Sequence, residues 1–170
     1  LKRDDADVEG IIMGDDHIVR GVVYAGMFPS YELFDKSVEG DIKAIQSQLP
    51  EASVYLASWS VDWTKLLLVV TGGKLSERYV LFDRKARKME VIGFARPLIK
   101  PEDVGQVITI EYKATDGLKI PALVTWPAGV PEANRKNLPM IVMPHGGPES
   151  YDSVQFDWLA QYFANEGYLV

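Results

Sequence analysis

Leu138-Pro139-Met140-Ile141-Val142-Met143-Pro144-His145-Gly146-Gly147-Pro148 is the stretch on which the reading of this chain turns. Its first seven residues are an apolar run of strand length, and a histidine and a glycine pair follow at once. Beyond them Asp152 is placed to cap a helix, with Gln155 three residues on to complete a capping box. Val154, Trp158, Leu159, Tyr162 and Phe163 then share one helical face, and Gly167 is placed as a C-terminal stop. Strand, glycine turn and helix in that order leave backbone N–H groups free to meet a developing anion.

Acyl transfer builds negative charge on a former carbonyl oxygen. One backbone donor aimed at that oxygen contributes roughly 3–4 kcal/mol. Such a donor must be free of secondary-structure bonds and must approach the substrate closely, and glycine permits both. The Gly147 amide is the expected donor, beside Gly146, with His145 orienting the loop and Pro148 stiffening its exit. A bare Gly-Gly-Pro is only a turn; the buried strand before it and the capped helix after it point instead to the oxyanion loop of an α/β-hydrolase. Ser150 and Ser153 lie near His145, but in a loop and helix start, where serine more often caps. No Gly-x-Ser-x-Gly occurs in the sequence, so nucleophile, acid and base are expected outside it.

Upstream, Val107 to Ala114 and Lys119 to Trp126 are alternating strands joined by Thr115-Asp116-Gly117-Leu118, a hairpin signal. Residues 97–106 hold two prolines, a glycine and alternating charge and read as a linker. Before it, His17 to Tyr24 and Tyr31 to Asp35 read as strands, and Ser37 to Gln48 as a helix with Val38, Ile42, Ile45 and Leu49 on one face. Four strand-like runs follow at short spacing, beginning at Ser53, Lys65, Arg78 and Lys88. Four consecutive antiparallel strands suit one blade of a β-propeller, or equally a single meander of a sandwich. The expected organisation is therefore all-β propeller blades over 1–96, a linker over 97–106, and the N-terminal part of an α/β-hydrolase domain over 107–170.

The bulk numbers exclude several classes. With 170 residues and 47% hydrophobic residues the chain is ordinary for a globular protein. A net charge of −6 disfavours nucleic acid, whose phosphates need a basic face. No apolar run approaches the ~18 residues of a membrane span. The absence of cysteine removes thiolate metal sites and cysteine catalysis without identifying a compartment. Asp5-x-Asp7-x-Glu9-Gly10 with Asp16 at position twelve only half matches a calcium loop, and a solvated loop is expected there. His17 lies beside Asp15 and Asp16 and reads as solvated or hydrogen-bonded. Tyr55, Trp59, Trp63 and Tyr79 read as strand core. No cofactor or metal is implied. The chain starts with Leu1 and stops on Gly167-Tyr168-Leu169-Val170, so both ends look cut.

His145-Gly146-Gly147-Pro148, the aromatic-rich stretch after it and Ala164-Asn165-Glu166-Gly167-Tyr168 resemble the start of the peptidase domain in the prolyl oligopeptidase family, especially its acylaminoacyl-peptidase branch. The stretch Ile110 to Pro127 looks like the hairpin that opens that domain. Ser58-Trp59-Ser60-Val61-Asp62 and Tyr79-Val80-Leu81-Phe82-Asp83 are similar to a terminal propeller blade. The resemblance implies a propeller capping an α/β-hydrolase domain, a Ser-Asp-His triad beyond this chain, and short or acylated peptides as substrate. This piece alone is then expected to be inactive. A non-peptide esterase and a propeller-derived binding module are the competing readings. Half of a sheet leaves an apolar helix face open, so self-association or dependence on a missing hydrolase half is expected.

Overall fold

Asp35 fixes where the chain first turns helical. In the computed structural model, which describes residues 2–170, its carboxylate accepts from the Ser37 N–H at 2.9 Å and from the Val38 N–H. Two donors that a first helical turn leaves unpaired are thereby satisfied. Helix α1 runs Lys36–Gln48 and buries Val38, Ile42 and Ile45, the face that the spacing predicts. Leu49 is only partly buried at the edge of that core.

Two antiparallel sheets enclose α1. Strands β1 (Val8–Met13), β2 (Val19–Tyr24) and β3 (Ser30–Leu33) form the first in chain order. Strands β4 (Ser53–Trp59), β5 (Lys65–Gly72), β6 (Leu75–Asp83) and β7 (Lys88–Phe94) form a four-stranded meander, matching the four predicted runs. Strand β1 grows out of the stretch expected to be a solvated loop. Its signal is faint because Gly10 and a register shift between Val8 and Gly10 interrupt the alternation, and only Ile12 reaches the core. Leu66, Leu68 and Val70 line one face of β5 and meet Ile12, Tyr31 and Leu33 from the first sheet and Ile42 and Ile45 from α1. Burying a Leu or Ile side chain contributes about 1.5–3 kcal/mol, so this shared core is what fastens the two sheets together.

Charged groups tie down the rim. Arg84, in the β6–β7 turn, donates to Asp41 (2.6 Å), to Ser37 Oγ (2.7 Å) and to the Trp63 carbonyl (2.9 Å). Glu39 accepts from the Leu33 N–H at 2.8 Å and pairs with Lys36 and Lys43. Burial alone pushes its carboxyl pKa up, but the two lysines and the Leu33 N–H outweigh it and hold the pKa at about 2. A folded pKa below the unfolded value of 4.5 makes this contribution full above pH 4.5 and lost as pH falls through about 2. Urea titrations from pH 6 to pH 2.5 are therefore expected to show stability falling with acid, and the fall should be shallower in Glu39→Gln. Equal slopes in the two proteins would remove Glu39 from the account.

The second half is a smaller sheet. Strands β8 (Val107–Lys113) and β9 (Lys119–Thr125) form the predicted hairpin, closed by Ala114 N–H to Leu118 O at 2.8 Å and by Leu118 N–H to Asp116 Oδ1 at 3.0 Å. Thr125 and Val170 exchange both backbone hydrogen bonds, at 2.8 and 3.1 Å. Leu169 in turn lies parallel to Met140, donating to Pro139 O and accepting from Ile141 N–H at 2.8 Å each. The order across the sheet is thus β8, β9, residues 169–170, residues 139–141, with a helix on the crossover between the parallel pair.

Two expectations are corrected here. Leu138 to Pro144 is a single bridge rather than a buried strand, because Val142 is 75% exposed and nothing among the described residues covers that face. The closing helix, α2, runs Trp158–Asn165 and is capped by Asp157, whose carboxylate accepts from Leu159 and Ala160 N–H at 2.8 and 2.9 Å. Asp152 caps nothing; residues 152–157 are irregular, with a bend at Val154–Gln155, and Val154 and Phe156 are buried against the β half. The helix accordingly buries Ala160, Gln161 and Ala164, while Trp158 and Tyr162 face solvent. Residues 97–106 are held in place: the Gln161 side-chain amide exchanges hydrogen bonds of 2.7 and 2.9 Å with the backbone of Gly105.

Candidate functional site

The chain leaves the Met140 bridge, runs through Pro144 and enters an exposed loop at His145. Gly147 has φ of +135°, in the region that favours glycine. An added Cβ there would sit 2.9 Å from Ser150 Cβ and 3.1 Å from Glu149 N, so the loop folds back tightly on this residue. Ser150 N–H to Pro148 O at 3.0 Å closes the turn. Among the described residues the Gly147 N–H donates to no acceptor, as a donor reserved for a ligand must. Gly146 is open, with nothing within 4 Å of an added Cβ. His145 Nδ1 lies 3.0 Å from the Gly146 carbonyl, an arrangement that places the ring proton on Nδ1.

The serines near the loop are engaged elsewhere. Ser153 Oγ lies 3.3 Å from the Tyr55 hydroxyl, and Ser150 belongs to the turn itself. Among the described residues no hydrogen bond joins His145 to either serine, so nothing here activates a nucleophile. Tyr151 follows directly, its hydroxyl pKa pushed up to about 12 by burial and by the Glu9 carboxylate, so it stays neutral. Tyr55 and Tyr151 therefore bring the first β half up to the loop, a proximity that sequence spacing does not reveal. Thr71, Gly72 and Met27, which hold the chain just beyond the loop, likewise carry no sequence signal.

The other candidates fall away from this place. His17 occupies the β1–β2 turn, with φ of 59° and its N–H on Gly14 O at 2.9 Å. Asp16 bonds Arg20 and the Ile18 N–H, and Asp5 pairs with Arg3. Trp59 and Trp63 stack at 4.5 Å with 19° between ring planes, and both pack against the core. A cavity of about 430 Å³ opens beside Phe34, Trp63 and Arg84, and no loop residue lines it.

No family model matches the chain. The chain is similar to "Dipeptidyl peptidase family member 6" of Caenorhabditis elegans, 24% identical over 148 residues, or 76% of this chain and 20% of that protein. It is also similar to "Dipeptidyl aminopeptidase BIII" of Pseudoxanthomonas mexicana, 21% identical over 145 residues, or 82% of this chain and 21% of that protein. Among solved structures, a puromycin-hydrolyzing peptidase of Mycobacterium tuberculosis superposes on all of this chain and 27% of its own, with TM-score 0.64 and 17% identity. A puromycin hydrolase superposes on 88% of this chain and 22% of its own, with TM-score 0.59 and 22% identity. At these identities the two structures speak to the fold. The chain spans about a fifth of the length of the curated relatives it matches.

Proposed function

We propose that this chain, a relative of peptidases of the prolyl oligopeptidase family, is the part of a serine peptidase that supplies the oxyanion loop. The observation that carries the reading is the Gly147 amide, free of internal partners and held at positive φ between the parallel Met140–Leu169 bridge and helix α2. In the reaction this N–H would donate to the carbonyl oxygen of the scissile bond as it turns into an oxyanion. Serine, aspartate and histidine of the triad would come from residues outside these 170, in agreement with the share of the relatives that the chain covers. The β4–β7 meander would be one propeller blade and β1–β3 part of its neighbour, together restricting entry to short or acylated peptides. Self-association through the exposed Trp158, Tyr162 and Val142 belongs to the same proposal.

Intact-mass analysis after treatment with a fluorophosphonate tests the division of labour. The 170-residue chain is expected to stay unmodified, whereas a longer chain that contains a Gly-x-Ser-x-Gly elbow should gain one adduct. A stoichiometric adduct on the 170-residue chain would place a working nucleophile within it and end this reading.

A further inference from the structure

The loop that carries Gly147 is fastened at its two ends to different parts of the fold. On the upstream side Ile141 N–H donates to Leu169 O at 2.8 Å, within the small sheet. On the downstream side Val154 N–H donates to Met27 O at 2.8 Å, in the β2–β3 connection. Two residues later Phe156 N–H donates to Thr71 Oγ1 at 2.9 Å, near the end of β5. Thr71 and Val154 are 3% and 1% exposed. Gly72, at φ of +85°, makes room for this docking, because a Cβ there would lie 2.6 Å from Val154 Cγ1. The Arg96 guanidinium stands 4.7 Å over the Phe156 ring. Residues 153–156 therefore form a wedge seated on both β sheets at once. Among the described residues, the backbone hydrogen bonds of 142–152 stay within the loop.

We propose that residues 142–153 are a strap strung between the β half and the small sheet. How the two halves dock sets the span of the strap and, through it, the direction of the Gly147 N–H. Thr71 and Val154 are its positioning residues. The catalytic meaning of this coupling rests on reading Gly147 as the oxyanion donor; the coupling itself does not. A relative shift of the halves changes the distance between Ile141 and Val154, and the short compact turn at 147–150 has to absorb it.

The test is backbone NMR with amide exchange on the 170-residue chain. Thr71→Val keeps the side-chain shape and removes the acceptor of the Phe156 N–H. Its Phe156 amide is expected to exchange at least about tenfold faster, with the Gly146 and Gly147 resonances shifted and the β5–β6 ladder still protected. Thr71→Ser keeps the hydroxyl and is expected to restore both glycine resonances. Val154→Ala loosens the wedge by packing alone and should move the same two glycines. Glycine resonances that stay put while the Phe156 amide opens would overturn the proposal. So would a general loss of protection through β5 and β6 in both Thr71→Val and Val154→Ala, since the wedge would then be supporting the sheet and not the strap. Glycines that respond, together with a Gly147→Ala peptidase of unchanged turnover, would keep the strap and remove the oxyanion role.

Discussion

Gly147→Ala, placed in a longer chain that also carries the nucleophile, is expected to lower kcat about 10²–10³-fold with KM little changed, the loss that follows removal of one oxyanion donor. Two independent features act against a side chain at this position. The φ of +135° is one that L-residues rarely adopt, and the new Cβ would press on Ser150 Cβ at 2.9 Å and Glu149 N at 3.1 Å. Relief requires the loop to open, which would turn the Gly147 N–H away from the oxyanion it is proposed to meet. Gly146→Ala is the internal control. Space around Gly146 is open and its φ is not positive, so a loss of less than about tenfold is expected there. Steady-state kinetics on a small acyl-amide substrate separates the two. Equal losses at both glycines would mean that the loop matters only for its general shape.

The second large effect is on stability. Leu68→Ala should cost about 2–5 kcal/mol, because Leu68 is fully buried at the middle of β5 and the surrounding layers cannot close over the hole. Its strand neighbours are Leu56 on β4 and Val80 on β6, and the core it belongs to also holds Ile42 of α1 and Leu33 of β3. A loss of that size is a large part of the 5–15 kcal/mol typical of a folded domain, according to general experience. Urea unfolding should show a lower midpoint at an unchanged slope. Ile92→Ala on the exposed β7, by contrast, should stay within about 0.5 kcal/mol. A Leu68→Ala midpoint no lower than that of Ile92→Ala would contradict a core shared between the two sheets and α1.

What could be read in advance depended on how local its cause is. Helix α1 was legible because its period and length lie within its own thirteen residues, whereas Asp35, which caps it, reads in sequence as the end of a strand. The meander was legible because its four strand-like runs, from Ser53, Lys65, Arg78 and Lys88, follow one another at short spacing, so each strand pairs with its neighbour in sequence. The start of α2 was not. Asp152 with Gln155 and Asp157 alone are both acceptable caps, and the choice falls to Thr71 and Met27, far away in sequence, which bind the backbone of Phe156 and Val154 and keep these residues out of the helix. The same holds for residues 138–144, whose apolar pattern asks for a strand but whose pairing waits on Leu169. At the site, Gly147 could be picked out from its neighbours in sequence, whereas Tyr55 and the anchors of the wedge are brought there only by the tertiary fold.

The position of Leu169 and Val170 between β9 and residues 139–141 also fixes a timetable for biosynthesis. While the emerged part of the nascent chain ends within α2, the β8–β9 hairpin has its partner and can zip, but the stretch leading to His145 has no neighbour in the sheet. It acquires one only when the residues after Gly167 emerge and slide in between. Until that moment the apolar segment from Leu138 to Met143, once it has emerged, is an unsheltered nascent chain, open to chaperones for as long as the emergence of Tyr168 to Val170 is delayed.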